Sequence, residues 1–238
     1  MKIAIIGYGK MGKTIEKRAI EAGHEIIVKL DSEEDWGKNG SLLNKADVAV
    51  EFSSPQVVVA NIYRCFDANV PVVVGTTAWE NSLESIKESC LSGNHAMFVA
   101  ANFSIGVNIF SKINLHLATL MNSLPNYDVK LSETHHIHKL DSPSGTAKFL
   151  ANGIITQVER KKNWVNREAS DIEEIGIISH RIDEVPGTHV VSWFSDEDEI
   201  EIKHTAKNRD GLAKGALIAA GFLIGKKGFF GMDDLLFG

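Results

Sequence analysis

Along the first hundred residues, short runs rich in β-branched side chains alternate with longer segments whose apolar positions recur at helical spacing. KIAIIG (2–7), HEIIVKL (24–30), ADVAVEF (46–52), VPVVVG (70–75) and HAMFVA (95–100) have the near-continuous Ile and Val content of strands buried on both faces. Between them, MGKTIEKRAIEAG (11–23), SPQVVVANIYRCFDAN (54–69) and WENSLESIKESCLSG (79–93) place apolar residues three and four apart and stop at Gly or Asn, as helices do. Strand and helix in alternation predict a parallel sheet covered on both faces by helices.

The texture changes near Asn102. A long amphipathic helix is predicted over 105–123, followed by a strand, YDVKLSETHH (127–136), and a second helix over 144–159. Three more strand-like runs, IGIISHRI (175–182), THVVSWF (188–194) and EIEIKHTA (199–206), alternate at hairpin-like spacing, which favours an antiparallel or mixed sheet. The last predicted helix, 210–226, is apolar almost throughout and therefore has to be buried. The expected fold class is α/β: a Rossmann-type doubly wound parallel sheet with a second, α+β domain, the final helix returning to the first.

Composition narrows the function. The 238 residues carry a net charge of -6 with no long run of Lys or Arg, which excludes the basic footprint that nucleic acid needs. The apolar run before Gly7 is only four residues long, too short for a secretory h-region, and the most apolar late stretch, GALIAAGFLIG (215–225), is about half a membrane span. A cytoplasmic protein is expected. Cys65 and Cys90 lie outside any CxxC pattern and inside predicted helices, as reduced, packed thiols do.

Two segments carry candidate chemistry. In GYGKMG, Gly7, Gly9 and Gly12 form G-x-G-x-x-G between a predicted strand and a predicted helix. Gly7 permits the tight turn, Gly9 lets the backbone approach a pyrophosphate, and Gly12 lets the helix pack closely on the strand. Tyr8, Lys10 and Met11 complete that loop. Asp31 ends the second strand, where an acid accepts hydrogen bonds from ribose hydroxyls. Ser32 follows it instead of an arginine, so NADH is favoured over NADPH. Gly75, Thr76 and Thr77, and the stretch Ala101, Asn102, Phe103, Ser104, follow strands at the edge where open α/β sheets bind ligands.

The second segment is ETHHIHKLDSPSGTA (133–147). Strand alternation puts His135 on one face and His136 and His138 on the other. A histidine near its ordinary pKa of about 6.5 suits a general acid, and Lys139 would stabilise negative charge. Ser142 is the expected N-cap and Pro143 the expected first helical residue, which leaves the Gly145 and Thr146 N–H groups facing an anion. A zinc site using His136 and His138 with Glu133 or Asp141 is disfavoured by the neighbouring Lys139 cation, and no metal is expected.

Taken together, the glycine turn ending in KMG, GTT (75–77), ANFSIGVN (101–108) and E-x-HH-x-x-K-x-D-x-PSGTA (133–147) resemble the 4-hydroxy-tetrahydrodipicolinate reductase family of lysine and diaminopimelate biosynthesis. The resemblance implies a dinucleotide-binding domain formed by 1–104 and 209–238, hinges near Ser104 and Arg209, and a substrate and oligomerisation domain over 105–208 that assembles a homotetramer. It implies that His135 is the acid/base and Lys139 the proton-donating cation. His136 with the Gly145 and Thr146 backbone would hold the carboxylates of a small dicarboxylate substrate, and the 75–77 and 101–104 loops would line the nicotinamide end of NADH or NADPH. Where the family has G-x-x-G-R-M-G, an arginine after the ribose acid and D-F-[ST], this chain has the shorter GYGKMG, Ser32 and Glu51-Phe52-Ser53. Competing expectations are another NAD-dependent oxidoreductase of an anionic substrate, a zinc-dependent hydrolase, and a non-catalytic dinucleotide sensor.

Overall fold

The computed structural model describes residues 1–208 and 210–238, which form two compact units, Met1–Ser104 with Asp210–Gly238, and 105–208. Of the two expected hinge positions, Ser104 ends the N-terminal segment of the first unit and Arg209 lies outside the described residues.

In the first unit the five β-branched runs become β1 (Lys2–Ile6), β2 (Glu25–Leu30), β3 (Val48–Glu51), β4 (Val72–Val74) and β5 (Ala96–Val99) of one parallel sheet. Between them run α1 (Lys10–Glu21), α2 (Glu33–Asn39), α3 (Val58–Asp67) and α4 (Leu83–Ser92). A sixth strand, Gly228–Phe230, pairs in parallel with β5, so the spatial order is sixth strand, β5, β4, β3, β1, β2. Order therefore reverses at β1, with β2 on one side and β3 on the other, and the loops leaving β1 and β3 flank the switch point where such sheets bind ligands. The strands are buried on both faces: Ile3, Ala4, Ile5 and Ile6 are all fully enclosed, as are Val72, Val73 and Val74.

Near the C-terminus the outcome differs from the expected single buried helix. The helix Asp210–Leu223 buries one face, including Ala213, Ala216, Ala220 and Leu223, but leaves Ile218 half-exposed. It stops three residues earlier than expected, and the chain continues into the sixth strand and a short helix, Met232–Phe237. The strand GFF is too short to show a period of its own; its pairing with β5 creates it. The helix α2 likewise went unpredicted, because it has no buried residue and so no apolar stripe.

The second unit contains α5 (Ile105–Met121), β6 (Asp128–His135), α6 (Gly145–Gln157), β7 (Asn163–Val165), β8 (Glu174–Arg181), β9 (Gly187–Phe194) and β10 (Glu199–Ala206). The sheet order is β10, β9, β6, β8, β7, with β6 antiparallel to β9 and parallel to β8. Along β6 the buried positions alternate as Val129, Leu131, Glu133 and His135. Val129 and Leu131 join Phe110, Ala118, Leu150 and Ile154 of the covering helices in one apolar core. The same face then turns polar at Glu133 and His135, and register places Ser179 of β8 and His189 of β9 opposite Glu133, with Arg181 opposite His135.

Candidate active site

The glycine loop shows why each glycine is needed. Gly7 has φ +85°, and a Cβ there would lie 2.2 Å from the Phe52 carbonyl oxygen; one on Gly12 would lie 2.2 Å from the Gly7 carbonyl oxygen. Gly9 is different: it is the N-cap residue of α1, and a Cβ on it would meet nothing within 4 Å. The loop thus presents open space at the N-terminus of a 12-residue helix, where phosphate binding is favoured. Gly9, Lys10, Met11, Ser53, Thr76 and Thr77 line a cleft of about 370 Å³ beside it, and Gly75 lies so close to the Phe52 ring that a Cβ would be 2.1 Å away. These residues fit a dinucleotide.

Asp31 is exposed at the end of β2 and accepts the Tyr8 backbone N–H at 2.5 Å. The Tyr8 hydroxyl donates to Glu16, and the Lys29 ammonium stands 4.6 Å from the Tyr8 ring centroid. Beyond Asp31, the N-terminus of α2 is already occupied by an acid. Asp35 accepts the Asp31 and Ser32 N–H groups at 3.1 and 3.0 Å, and these contacts with the Ser32 hydroxyl hold its carboxyl below the usual range. Glu33 pairs with Arg64 at 2.7 Å and Glu34 with Lys38 at 2.5 Å, so the negative charge of this corner rests on Asp31 and Asp35.

Two candidate cofactor residues turn their side chains inward. The Thr76 hydroxyl donates to buried Glu51 at 2.7 Å and accepts the Ser53 N–H at 2.8 Å. Burial pushes the Glu51 carboxyl upward, against hydrogen bonds from Ser53, Thr76 and Asn61. Phe103 is 1% exposed and packs against Phe52 and Phe98, so any ligand contact from it falls to its backbone. Next to it, the Asn102 Oδ1 accepts the Ser104 N–H at 2.8 Å, while Ala101 is exposed.

In the second unit, Glu133 organises the polar end of the β6 face. Its Oε1 accepts the Ser144 backbone N–H at 2.9 Å and the Ser179 hydroxyl at 2.8 Å. Its Oε2 lies 3.5 Å from both His135 Nδ1 and His189 Nε2. Burial works against its ionisation, yet the neighbouring His189 and the hydrogen bonds from Ser144 and Ser179 outweigh that and hold the carboxyl well below the usual carboxylate range.

His135 departs from the ordinary titration expected of it. Its pKa is lowered to about 4, chiefly by burial; Glu133 opposes the shift, and His189, Lys139 and Arg181 reinforce it. The ring is therefore neutral at pH 7 in the ligand-free unit. Lys139 pairs with Asp141 at 2.7 Å, and the loop carrying both is tied to β8 by Arg181, whose guanidinium donates to the Asp141 carbonyl at 2.6 Å.

The expected helix start moves by two residues. Ser144, not Ser142, is the N-cap of α6, and Gly145, not Pro143, is its first residue. The physical reason is Glu133: it takes the Ser144 N–H, while the Ser144 hydroxyl turns forward to accept the Ala147 N–H at 3.2 Å. A Cβ on Gly145 would meet nothing within 4 Å, so the first-turn N–H groups of Gly145 and Thr146 border open space.

The histidines also divide differently from the expected zinc alternative. His138 pairs with Glu184 at 3.1 Å on the surface, and its ring centroid is 6.0 Å from that of His136. Among the described residues, the ligand-like atoms that do converge belong to Glu133, His135 and His189, all within 4.8 Å of one another. Arg181, 3.6 Å from Glu133, adds a positive charge that works against a cation there. His189, Ser179 and Arg181 went unrecognised in the sequence because only strand pairing brings them to β6. Glu133 had a usable signal, an acid on the buried parity of an otherwise apolar strand.

Comparison with known proteins agrees over both units. The family description "Dihydrodipicolinate reductase, N-terminus" matches residues 1–103, and "Dihydrodipicolinate reductase, C-terminus" matches 106–236. A 4-hydroxy-tetrahydrodipicolinate reductase from Christiangramia forsetii is 46% identical over 237 residues, covering 99% of this chain and 98% of that one. One from Staphylococcus aureus is 34% identical over 246 residues, covering 99% and 100%. The solved dipicolinate-bound dihydrodipicolinate reductase from Paenisporosarcina sp. TG-14 shares the fold with a TM-score of 0.79 at 23% identity, covering 99% of each chain. The chain belongs to the dihydrodipicolinate reductase family, whose members are NAD(P)-dependent oxidoreductases.

Proposed function

We propose that the chain reduces 4-hydroxy-tetrahydrodipicolinate to tetrahydrodipicolinate with NADH or NADPH, water being lost, as a cytoplasmic homotetramer in lysine and diaminopimelate biosynthesis. The observation that carries this reading is the cluster in the second unit: a buried neutral His135, the Lys139 cation, and the Gly145 and Thr146 amides at an open helix N-terminus. These are groups for moving a proton next to a carboxylate. The relatives at 46% and 34% identity carry the reductase name, and the Paenisporosarcina protein holds dipicolinate, a small dicarboxylate.

When bound, the nicotinamide supplies the hydride. Gly9 to Gly12 at the start of α1 hold the pyrophosphate with backbone N–H groups, those of Gly7 and Tyr8 being taken by the Leu30 carbonyl and Asp31; Asp31 takes the ribose hydroxyls, and Gly75 to Thr77 with Ala101 to Ser104 line the nicotinamide end. NADH is preferred, because a 2'-phosphate would meet the carboxylates of Asp31 and Asp35. His136, Gly145 and Thr146 bind the substrate's carboxylates. His135 and Lys139 handle the proton: an arriving dianion raises the affinity of neutral His135 for a proton, so the ring becomes an acid when substrate is present.

The test follows NADH absorbance as the condensation product of aspartate semialdehyde and pyruvate is added. Substrate-dependent oxidation is expected, and a flat trace from folded, NADH-binding protein rejects the assignment. Chelator-treated protein is expected to keep its rate; a requirement for stoichiometric zinc would favour the hydrolase instead. Light scattering checks the tetramer.

A further inference from the structure

Glu133 is 1% exposed, and its two oxygens have different partners. Oε1 is anchored by the Ser144 N–H and the Ser179 hydroxyl, with the Arg181 guanidinium 3.6 Å away. Oε2 lies between two rings, 3.5 Å from His135 Nδ1 and 3.5 Å from His189 Nε2. Glu133 Oε2 and His135 Nδ1, 3.5 Å apart, are both buried without a hydrogen bond to any described residue. An ionised carboxylate only accepts, so a proton shared along this line belongs to the imidazole. At the far side of the ring, Gly187 leaves Nε2 uncovered: a Cβ there would lie 3.1 Å from it.

We propose that Glu133 is the positioning residue of this site. It holds His135 in the tautomer protonated on Nδ1, so that the catalytic proton passes through Nε2. The same carboxylate, through Ser144, ties the ring to the turn that presents the Gly145 and Thr146 amides, so that proton delivery and anion binding share one anchor. The 3.5 Å separation closes to an ordinary hydrogen bond when the ring becomes charged, as contacts of this kind tighten in the reactive complex. The groups facing His135 are Glu133 from its own strand, Arg181 from β8, His189 from β9 and Lys139 from the following loop. Glu133 alone among them favours the imidazolium. The inference rests on the reading of His135 as the proton-transfer group.

Glu133→Gln tests it. The amide keeps an oxygen for Ser144 and Ser179 but turns an NH2 toward Nδ1, which must then accept and leave the proton on Nε2. In labelled protein, the ring-nitrogen shifts of His135 are expected to show Nδ1–H in the native chain and Nε2–H in the variant. The expected kinetic effect is a fall in kcat of ~100-fold or more with KM for the dicarboxylate within ~3-fold, the signature of a wrong tautomer. The acid limb of the kcat profile moves as well, a change that mere loosening of the fold would not produce. A folded variant with native kcat, or a loss confined to KM, overturns the proposal. Should Glu133→Gln not fold, the native shifts decide alone: Nε2–H in the unmodified protein refutes it. If the native protein does not turn over the proposed substrate, the functional reading fails, and the tautomer measurement still judges the role of Glu133.

Discussion

Glu133 of β6 stands directly opposite His189 of β9 in the antiparallel register, and their side chains meet with carboxylate Oε2 3.5 Å from imidazole Nε2. With Ser179 opposite on the other neighbouring strand, this cross-strand row makes a polar floor beneath His135 at the end of an otherwise apolar strand face. The titration and stability expected of the second unit follow from it.

Stability should rise with pH between about 4 and 6.5. The folded pKa of His135, about 4, lies below its ordinary value of 6.5, so within that window the unfolded chain binds the extra proton and acid favours unfolding. The depressed Glu133 carboxyl acts in the same direction: its contribution is present above an unfolded pKa of about 4.3 and is lost as pH falls through its lower folded value. Denaturant titrations across this range, with His135→Gln as the control, should show a shallower slope in the variant. Ring titration by NMR should give a midpoint near 4.

Replacing His135 by Ala or Lys139 by Ala should lower kcat by ~100-fold or more, while NADH affinity stays within about twofold. Steady-state rates and NADH fluorescence titration measure the two effects separately. A parallel loss of NADH affinity would move these side chains out of the proton-transfer role.

The glycines of the first loop should separate into two kinds. Gly12→Ala places a Cβ 2.2 Å from a backbone oxygen that cannot swing away, and should destabilise the protein by about 2–3 kcal/mol. Gly9→Ala meets nothing within 4 Å, so its thermal midpoint should stay near the native one while NADH affinity falls ~10-fold or more. Calorimetry with and without NADH distinguishes them.

Cofactor choice should follow the acidic corner. The native protein is expected to show a kcat/KM at least ~10-fold higher with NADH than with NADPH, and Asp31→Asn should narrow that ratio. Asn retains an acceptor for the Tyr8 N–H, so the change reports charge more than loop geometry.

Much of the architecture was legible in the chain itself. The β-branched runs became the buried parallel strands, and the segments with helical period became α1, α3, α4, α5 and α6, because burial on one face or on both leaves its period in the order of residues. The elements that escaped are those with no such period. The helix α2 has no fully buried residue and packs on the core through Trp36 alone among its apolar side chains, β7 has three residues, and the sixth strand of the parallel sheet exists through its pairing with β5.

At the candidate site the division is similar. The 133–147 stretch could be recognised because its chemistry is contiguous: histidines, a lysine and the turn that opens a helix lie side by side in one segment. Its N-cap was misplaced by two residues, because Ser142 and Ser144 are equally good caps locally and only the contact of Ser144 with Glu133 separates them. His135 was expected to titrate near its ordinary value, whereas burial on the core-facing side of β6 lowers it.

By itself, then, the sequence determined what depends on local order: strand and helix periods, the glycine turn at a helix entrance, and the supply of proton-bearing side chains. Tertiary structure alone decided which groups surround His135. Arg181 and His189 reach it through strand register, as Ser179 reaches Glu133, and Lys139 through a loop that Arg181 anchors. Hydrogen bonding across strands and loss of water act between residues distant in the chain, and those interactions set the charge of Glu133 and His135.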